Sequence, residues 1–246
     1  MLMLLAAIAI IGAISALEML WPARRDVSAR GANLVAWVFT VISGLTLVPL
    51  ASAASVLATN RLGGGLIDLS LWPLPLAAGV YVIAMDGAEY AFHRAQHAVP
   101  LLWRMHSLHH SDPNMNATST VRHFWAEPLL KTVSIWFGMG LIFQPTPAVL
   151  LIYSACFLYH IVEHANLPIG FGRWSWLLNS PAYHRVHHSS DPEDFTANYA
   201  GLLPIFDVIF GTFRRPTDWK STGLATQPRG ALDIAIWPLR RMPARA

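Results

Sequence analysis

The chain has 246 residues, enough for one sizeable domain with short appendages. Its hydrophobic fraction is 54%, its charged fraction 13% and its mean hydropathy +0.42. A soluble domain carries about 25% charged residues, so this composition excludes a surface bathed wholly in water and points to lipid. The single cysteine, Cys156, rules out an internal disulfide, a CxxC zinc knuckle and a cysteine-held iron–sulfur cluster. No GxGxxG follows a strand-like run and no P-loop is present, so the chain brings no evident nucleotide or flavin equipment. A pI near 9.3 accompanies a net charge of only +3 from scattered basic residues, which suits loops beside a membrane and not a nucleic-acid groove.

In chain order, residues 1–17 are uncharged and lack the basic start of a secretory signal, which predicts a retained span. Residues 34–58 form a second run long enough to cross a hydrocarbon layer of roughly 30 Å. A third apolar stretch, 71–85, contains Pro73 and Pro75 and is expected to continue as a helix beyond the bilayer. Residues 132–143 and 147–162 flank Gln144-Pro145-Thr146-Pro147 and predict a helical hairpin that need not cross fully. Gly63-Gly64-Gly65 predicts a turn, and 199–213 an amphipathic helix on the membrane surface. On this map 16 of the 17 Lys and Arg, all but Arg61, share one side, which the positive-inside rule makes cytoplasmic. Asn116-Ala-Thr118 matches a glycosylation sequon but falls on that side. The expected protein is an all-α integral membrane protein of the cytoplasmic membrane. It has about four to five transmembrane or hairpin helices under a cytoplasmic helical cap. Residues 1–85 form the membrane part, 86–215 the catalytic region with the hairpin, and 216–246 a tail.

All eleven histidines fall between positions 93 and 188. Ten form four groups: His93 and His97; His106, His109 and His110; His160 and His164; His184, His187 and His188. Residues i and i+4 on a helix share a face with Cβ atoms about 5–6 Å apart, so paired imidazoles can hold one metal. HxxHH adds an i+3 neighbour, and ten imidazoles are too many for a single ion. A dinuclear centre with open positions, bound by these ten histidines as metal and catalytic residues, is the economical reading. His123 stands apart from the spacing and is left out. Asp86, Glu89, His93 and His97 form one helical stripe, which suggests Asp86 and Glu89 as acceptors for ligand ring N–H groups. Glu163 lies between His160 and His164 and should point elsewhere.

At these residues the chain resembles the fatty acid hydroxylase/sterol desaturase superfamily of membrane di-iron enzymes, over roughly 86–212. Asp86, Tyr90, His93, Arg94 and His97 match its first histidine box, and Leu102-Trp103 with His106, His109, His110 and Ser111 the second. Asn116, Thr118, Arg122 and Glu127 follow as in many members, then His164-Ala-Asn166. Pro181, His184, Arg185, His187 and His188 match the last box, and Asn198-Tyr199, Asp207 and Phe210-Gly211-Thr212 the closing segment. Members often place a histidine two positions after the arginine, whereas His123 follows Arg122 directly; Ala200 and Phe206 also depart from the usual residues.

The resemblance implies two iron ions, O₂ as co-substrate and electrons from an external donor of ferredoxin or cytochrome b5 type. The target would be an unactivated C–H bond of a sterol-like, fatty-acyl or sphingolipid substrate, hydroxylated or desaturated. It adds Asn166 beside Asp86 and Glu89 as a supporting residue. The competing expectation is a membrane metal-binding or metal-transport protein without oxygenase activity, with ligands along a path through the spans.

Overall fold

In the computed structural model, residues 2–25 and 30–240 are described. The chain is mostly helical, as expected, with one pair of two-residue strands among the described residues. Helices α1 (Leu2–Leu20) and α2 (Gly31–Arg61) are long and apolar enough to cross a membrane. At roughly 1.5 Å per residue, α2 reaches about 45 Å, well past a bilayer core. Leu17, Leu45 and Leu50 turn outward with 51–73% of their surface exposed, as lipid-facing side chains would.

Helix α3 (Leu74–Ala98) begins three residues later than the apolar stretch predicts, because Pro73 and Pro75 confine its first turn and Leu69–Leu71 is a separate 3-10 turn. It does continue past residue 85, carrying His93 and His97 on its extension. Pro100 then starts α4 (Pro100–His110), which bears the first HxxHH group. The hairpin's first arm comprises α5 (Glu127–Lys131), a π-helical turn (Thr132–Trp136) and α6 (Phe137–Ile142). Its return arm is α7 (Pro147–Phe157), followed by the single turn α8 (His160–Glu163). Between the arms, β2 (Phe143–Gln144) pairs in parallel with β1 (Ile67–Asp68). The glycine turn makes that approach possible. Gly63 and Gly64 have φ of 102° and 76°, and a Cβ on Gly65 would lie 2.5 Å from the Phe143 carbonyl carbon.

The remaining helices are short: α9 (Pro181–His187), α10 (Ile205–Ile209) and α11 (Ala231–Ala235). The amphipathic helix expected over 199–213 is corrected to α10 alone. Its intended polar residue, Asp207, is completely buried and gathers the flanking backbone around itself, which breaks helical continuity.

Three apolar clusters join these parts. One packs α3 against the hairpin through Tyr81, Met85, Met139 and Tyr153, with Tyr81 edge-on to both Phe143 and Tyr153. A second seats Ile14 of α1 on Ile161 and Leu167. The third joins Ala36 of α2 and Leu108 of α4 to Ile234 and the fully buried Trp237, whose indole N–H donates to Ser107 Oγ at 2.9 Å. Residues 216–240 are thus a strap built into the base of the histidine region.

Two polar residues inside the apolar helices pin this region to the membrane part. Glu18 of α1 accepts from the Ala117 and Asn166 amides, both at 2.7 Å, and from Arg30. Asn33 of α2 donates to Asp112 and Thr118 and accepts from the buried Arg122 at 2.9 Å. A buried polar group is tolerable only when so satisfied.

Candidate metal centre

Nine of the ten predicted histidines converge into two groups whose ring nitrogens lie within 4.8 Å of one another. His93 and His97 of α3, His106 and His110 of α4 and His187 of α9 form the first; His109, His164, His184 and His188 form the second. The HxxHH spacing explains the partition. On each of α4 and α9 the motif splits, sending His106 and His110 to one group and His109 to the other, and likewise His187 against His184 and His188. The groups adjoin where the His110 and His188 rings stack at 4.3 Å.

His93 Nε2 stands 3.0 Å from His106 Nε2 and 3.0 Å from His187 Nε2. In the second group His164 Nε2 is 3.1 Å from both His109 Nε2 and His184 Nε2. The opposite ring nitrogens settle the proton positions. His93 Nδ1 faces the Tyr199 carbonyl at 2.7 Å, His187 Nδ1 the Ala197 carbonyl at 2.8 Å and His164 Nδ1 the His160 carbonyl at 2.6 Å. A carbonyl can only accept, so each Nδ1 carries the hydrogen and each neutral ring turns a bare Nε2 lone pair inward. The lone pairs of His93 and His187 therefore confront each other at 3.0 Å. Two such lone pairs repel unless a cation lies between them, and ligands at right angles on bonds of about 2.1 Å stand about 3.0 Å apart. His110 Nε2 and His188 Nε2 are also buried without a hydrogen-bond partner. The donor set fits a pair of metal ions.

Electrostatics agree with neutral ligands. Burial, reinforced by neighbouring imidazoles, pushes His93, His109, His110, His184 and His188 well below the usual histidine range. Burial lowers His164 in the same way.

Glu127 supports the first group. Its carboxylate accepts from Gln96 Nε2 at 2.8 Å, the Phe124 amide at 3.0 Å, His106 Nδ1 at 3.1 Å and His123 Nδ1 at 3.3 Å. Burial alone would raise its carboxyl, but His123 and His106 outweigh burial and hold it below the ordinary range. His123, excluded on spacing, does border the site: its ring stacks on His109 at 4.3 Å. No helical periodicity could show this, because it follows the 3-10 turn Ala117–Val121.

Two expectations change here. His160 is not brought into either group; its Nδ1 is held by Glu163 at 2.6 Å. Glu163, expected to point away, is 1% exposed and also accepts from Asn179 at 2.6 Å. The reason is local: α8 is a single turn that ends at Glu163, with His164 already its C-cap, so the i, i+4 face of a longer helix never forms. Burial pushes the Glu163 carboxyl up to about 7, against the lowering influence of His160. Burial would depress His160 in turn, yet Glu163 raises it.

The three expected supporting residues do not touch the ligand rings through the hydrogen bonds that define them. Asp86 accepts from the Leu202 and Leu203 amides at 2.9 and 2.8 Å, fixing the closing segment over the site. Glu89 pairs with Lys131 at 2.5 Å, and Asn166 clamps both the amide and the carbonyl of Arg24. The acceptors for ligand N–H groups are chiefly backbone carbonyls, which leave no mark in a sequence.

Gly201 closes the wall beside His160. A Cβ there would stand 2.6 Å from His160 Cε1 and 3.4 Å from Asp86 Oδ1. His160 cannot swing aside without leaving Glu163, so Gly201→Ala should cost about 1–3 kcal/mol of stability, read as a lowered melting temperature.

Comparison with known proteins bears on this constellation. Residues 78–212, more than half the chain, match the family model for fatty acid hydroxylase. The chain belongs to the fatty acid hydroxylase family. It is 34% identical over 149 residues to alkylglycerol monooxygenase of Xenopus tropicalis, covering 60% of this chain and 32% of that protein. The human alkylglycerol monooxygenase is 30% identical, with coverages of 62% and 34%. Ornithine lipid hydroxylase OlsE of Rhizobium tropici is 28% identical, with coverages of 62% and 46%. The matched stretch thus spans less than half of each relative. No solved structure matches the chain.

Proposed function

We propose that this protein is a membrane oxygenase that uses O₂, two irons and externally supplied electrons to hydroxylate an unactivated C–H bond of a lipid. The single observation that carries the reading is the pair of adjoining all-histidine groups with inward lone pairs. Relatives named for lipid hydroxylation and monooxygenation support it. The irons, when bound, supply the oxidising chemistry that a C–H bond without acid–base handles requires.

The protein's own residues bind and orient. His93, His97, His106, His110 and His187 would hold one ion, and His109, His164, His184 and His188 the other. Two six-coordinate ions offer about twelve positions, so nine imidazoles leave a few open. The Tyr199, Ala197 and His160 carbonyls and Glu127 fix ring orientation and the protonated nitrogen. Eight of these nine rings are 4% exposed or less, which limits water at the oxidising centre.

The topology that goes with this reading has α1 and α2 as full spans, α3 and the hairpin partly in the bilayer, and the histidine cap on the cytoplasmic side. Residues 1–85 anchor, 86–215 catalyse and 216–246 are the tail, whose described residues, up to 240, brace the histidine region. Electrons would come from a ferredoxin or cytochrome b5-like donor. A transport pathway is disfavoured because the histidine groups lie on the extension of α3 and on the short helices, outside α1 and α2.

Anaerobic reconstitution with ferrous iron should give about two irons per chain, and O₂ with reductant should then convert a lipid to its alcohol. His106→Ala should abolish turnover while membrane insertion persists. A single tightly bound iron, or none, would sink the reading.

A further inference from the structure

A cavity of about 400 Å³ opens where α1 leaves the apolar region. Its lining includes four arginines, Arg24, Arg25, Arg30 and Arg185, against one acidic residue, Glu18, and the Arg24 guanidinium also donates to the Trp219 carbonyl at 3.0 Å. The wall is built in advance. Asn166 clamps the Arg24 backbone, and Glu18 holds Arg30 at 3.0 Å. Arg185, 2% exposed, forms part of the lining while donating to the Met115 carbonyl and to Asn166 Oδ1, at 3.0 and 3.1 Å. Glu18 itself is already occupied by the Ala117 and Asn166 amides.

We propose that this cavity is a phosphate site, taking the group from a lipid headgroup at the bilayer surface. Planar guanidinium forks match phosphate oxygens in pairs, and several in one concavity favour an anion over a neutral ligand. The position selects the lipid. Met19 and Leu20 of the lining are 74% and 83% exposed, and the next residue in the chain, Trp21, is 70% exposed, an apolar and aromatic stretch suited to the interface where lipid phosphates lie. A volume of about 400 Å³ exceeds what a phosphate alone fills, leaving room for a glycerol backbone.

The cavity adjoins the histidine groups through the chain itself. Arg185 sits between His184 and His187 on α9, and Asn166 lies two residues after His164. A headgroup bound here would fix a lipid at a set distance from those groups. The site goes beyond the oxygenase reading and does not depend on it.

The test uses the full chain in uncharged detergent. Native mass spectrometry would compare retention of phosphatidic acid with that of diacylglycerol bearing the same acyl chains, with and without inorganic phosphate. Phosphatidic acid should be retained and diacylglycerol lost. Arg25→Gln, at an exposed position, should weaken retention about tenfold or more, with the melting temperature unchanged. Retention should also fall as salt is raised. Failure of millimolar inorganic phosphate to displace the lipid supports the headgroup as source. Binding of inorganic phosphate with no lipid retained would support the phosphate site but overturn its lipid source. Equal retention of both lipids, or wild-type retention in a folded Arg24→Gln/Arg25→Gln double variant, would overturn the proposal. The readout is mass, not turnover, so it separates from any failure of the oxygenase reading.

Discussion

Glu127→Ala should abolish most of the iron uptake proposed for the histidine groups and destabilise the protein by about 3–5 kcal/mol. The carboxylate is 2% exposed and accepts from four donors: Gln96, His106, His123 and the Phe124 amide. Removing it orphans all of them, and a buried donor without a partner costs about 1–3 kcal/mol. The consequence for the site runs through both metal groups. His106 belongs to the first, and His123, released from Glu127, is the ring stacked on His109 of the second. Glu127→Gln separates the two effects, since it keeps the volume and one acceptor but opposes an amide N–H to ring N–H groups. It should retain the fold while lowering iron affinity about 10–100-fold. Iron content after dialysis against a graded chelator, beside a thermal melt, measures both quantities. Unchanged iron affinity in Glu127→Gln would remove the carboxylate from the supporting role given to it here.

What the sequence disclosed depends on whether the governing interaction is local. The HxxHH motifs were legible because i+3 and i+4 neighbours on α4 and α9 are set by helix geometry alone. Their division between two groups was not, since it depends on how α3, α4 and α9 meet. His160 shows the limit of periodicity: an i, i+4 pair implies a shared face only where the helix lasts for both residues, and α8 ends at Glu163. Glu163 and His123 escaped for the same reason, each being placed by a break in the helix and not by its continuation. Glu18 and Asn33 could be seen as polar residues in apolar runs, but their partners lie 79 or more residues away, Glu18's pairing with Arg30 excepted. The membrane helices themselves were readable from composition. The strap over residues 216–240 was not, because Trp237 takes its place against Ala36 of α2 and Ser107 and Leu108 of α4, all distant in sequence.

Asp207→Ala should empty the five-histidine group before it touches the four-histidine group. Asp207 is fully buried and accepts from Tyr183 Oη and Thr212 Oγ1, both at 2.6 Å, and from the Tyr199 and Ala200 amides at 2.8 Å. This one carboxylate draws 199–212 into a closed loop, begun by Asn198 at φ 58°, whose side chain bonds the Arg214 backbone in both directions. The loop presents the Tyr199 carbonyl to His93, and the neighbouring Ala197 carbonyl receives His187. Both rings belong to the first group, and each depends on its carbonyl to keep the hydrogen on Nδ1 and the lone pair on Nε2. His164 takes its carbonyl from His160, outside the loop. Loss of four buried hydrogen bonds should cost about 3–5 kcal/mol, and the closing segment should become the first site of proteolytic cleavage. Ferrous titration should then saturate at about one iron per chain, against about two in the parent. Asp207→Asn, retaining one acceptor, should fall between them. If both ions were lost together while the chain stayed folded, the carbonyls of the closing segment would not be what orients the first group.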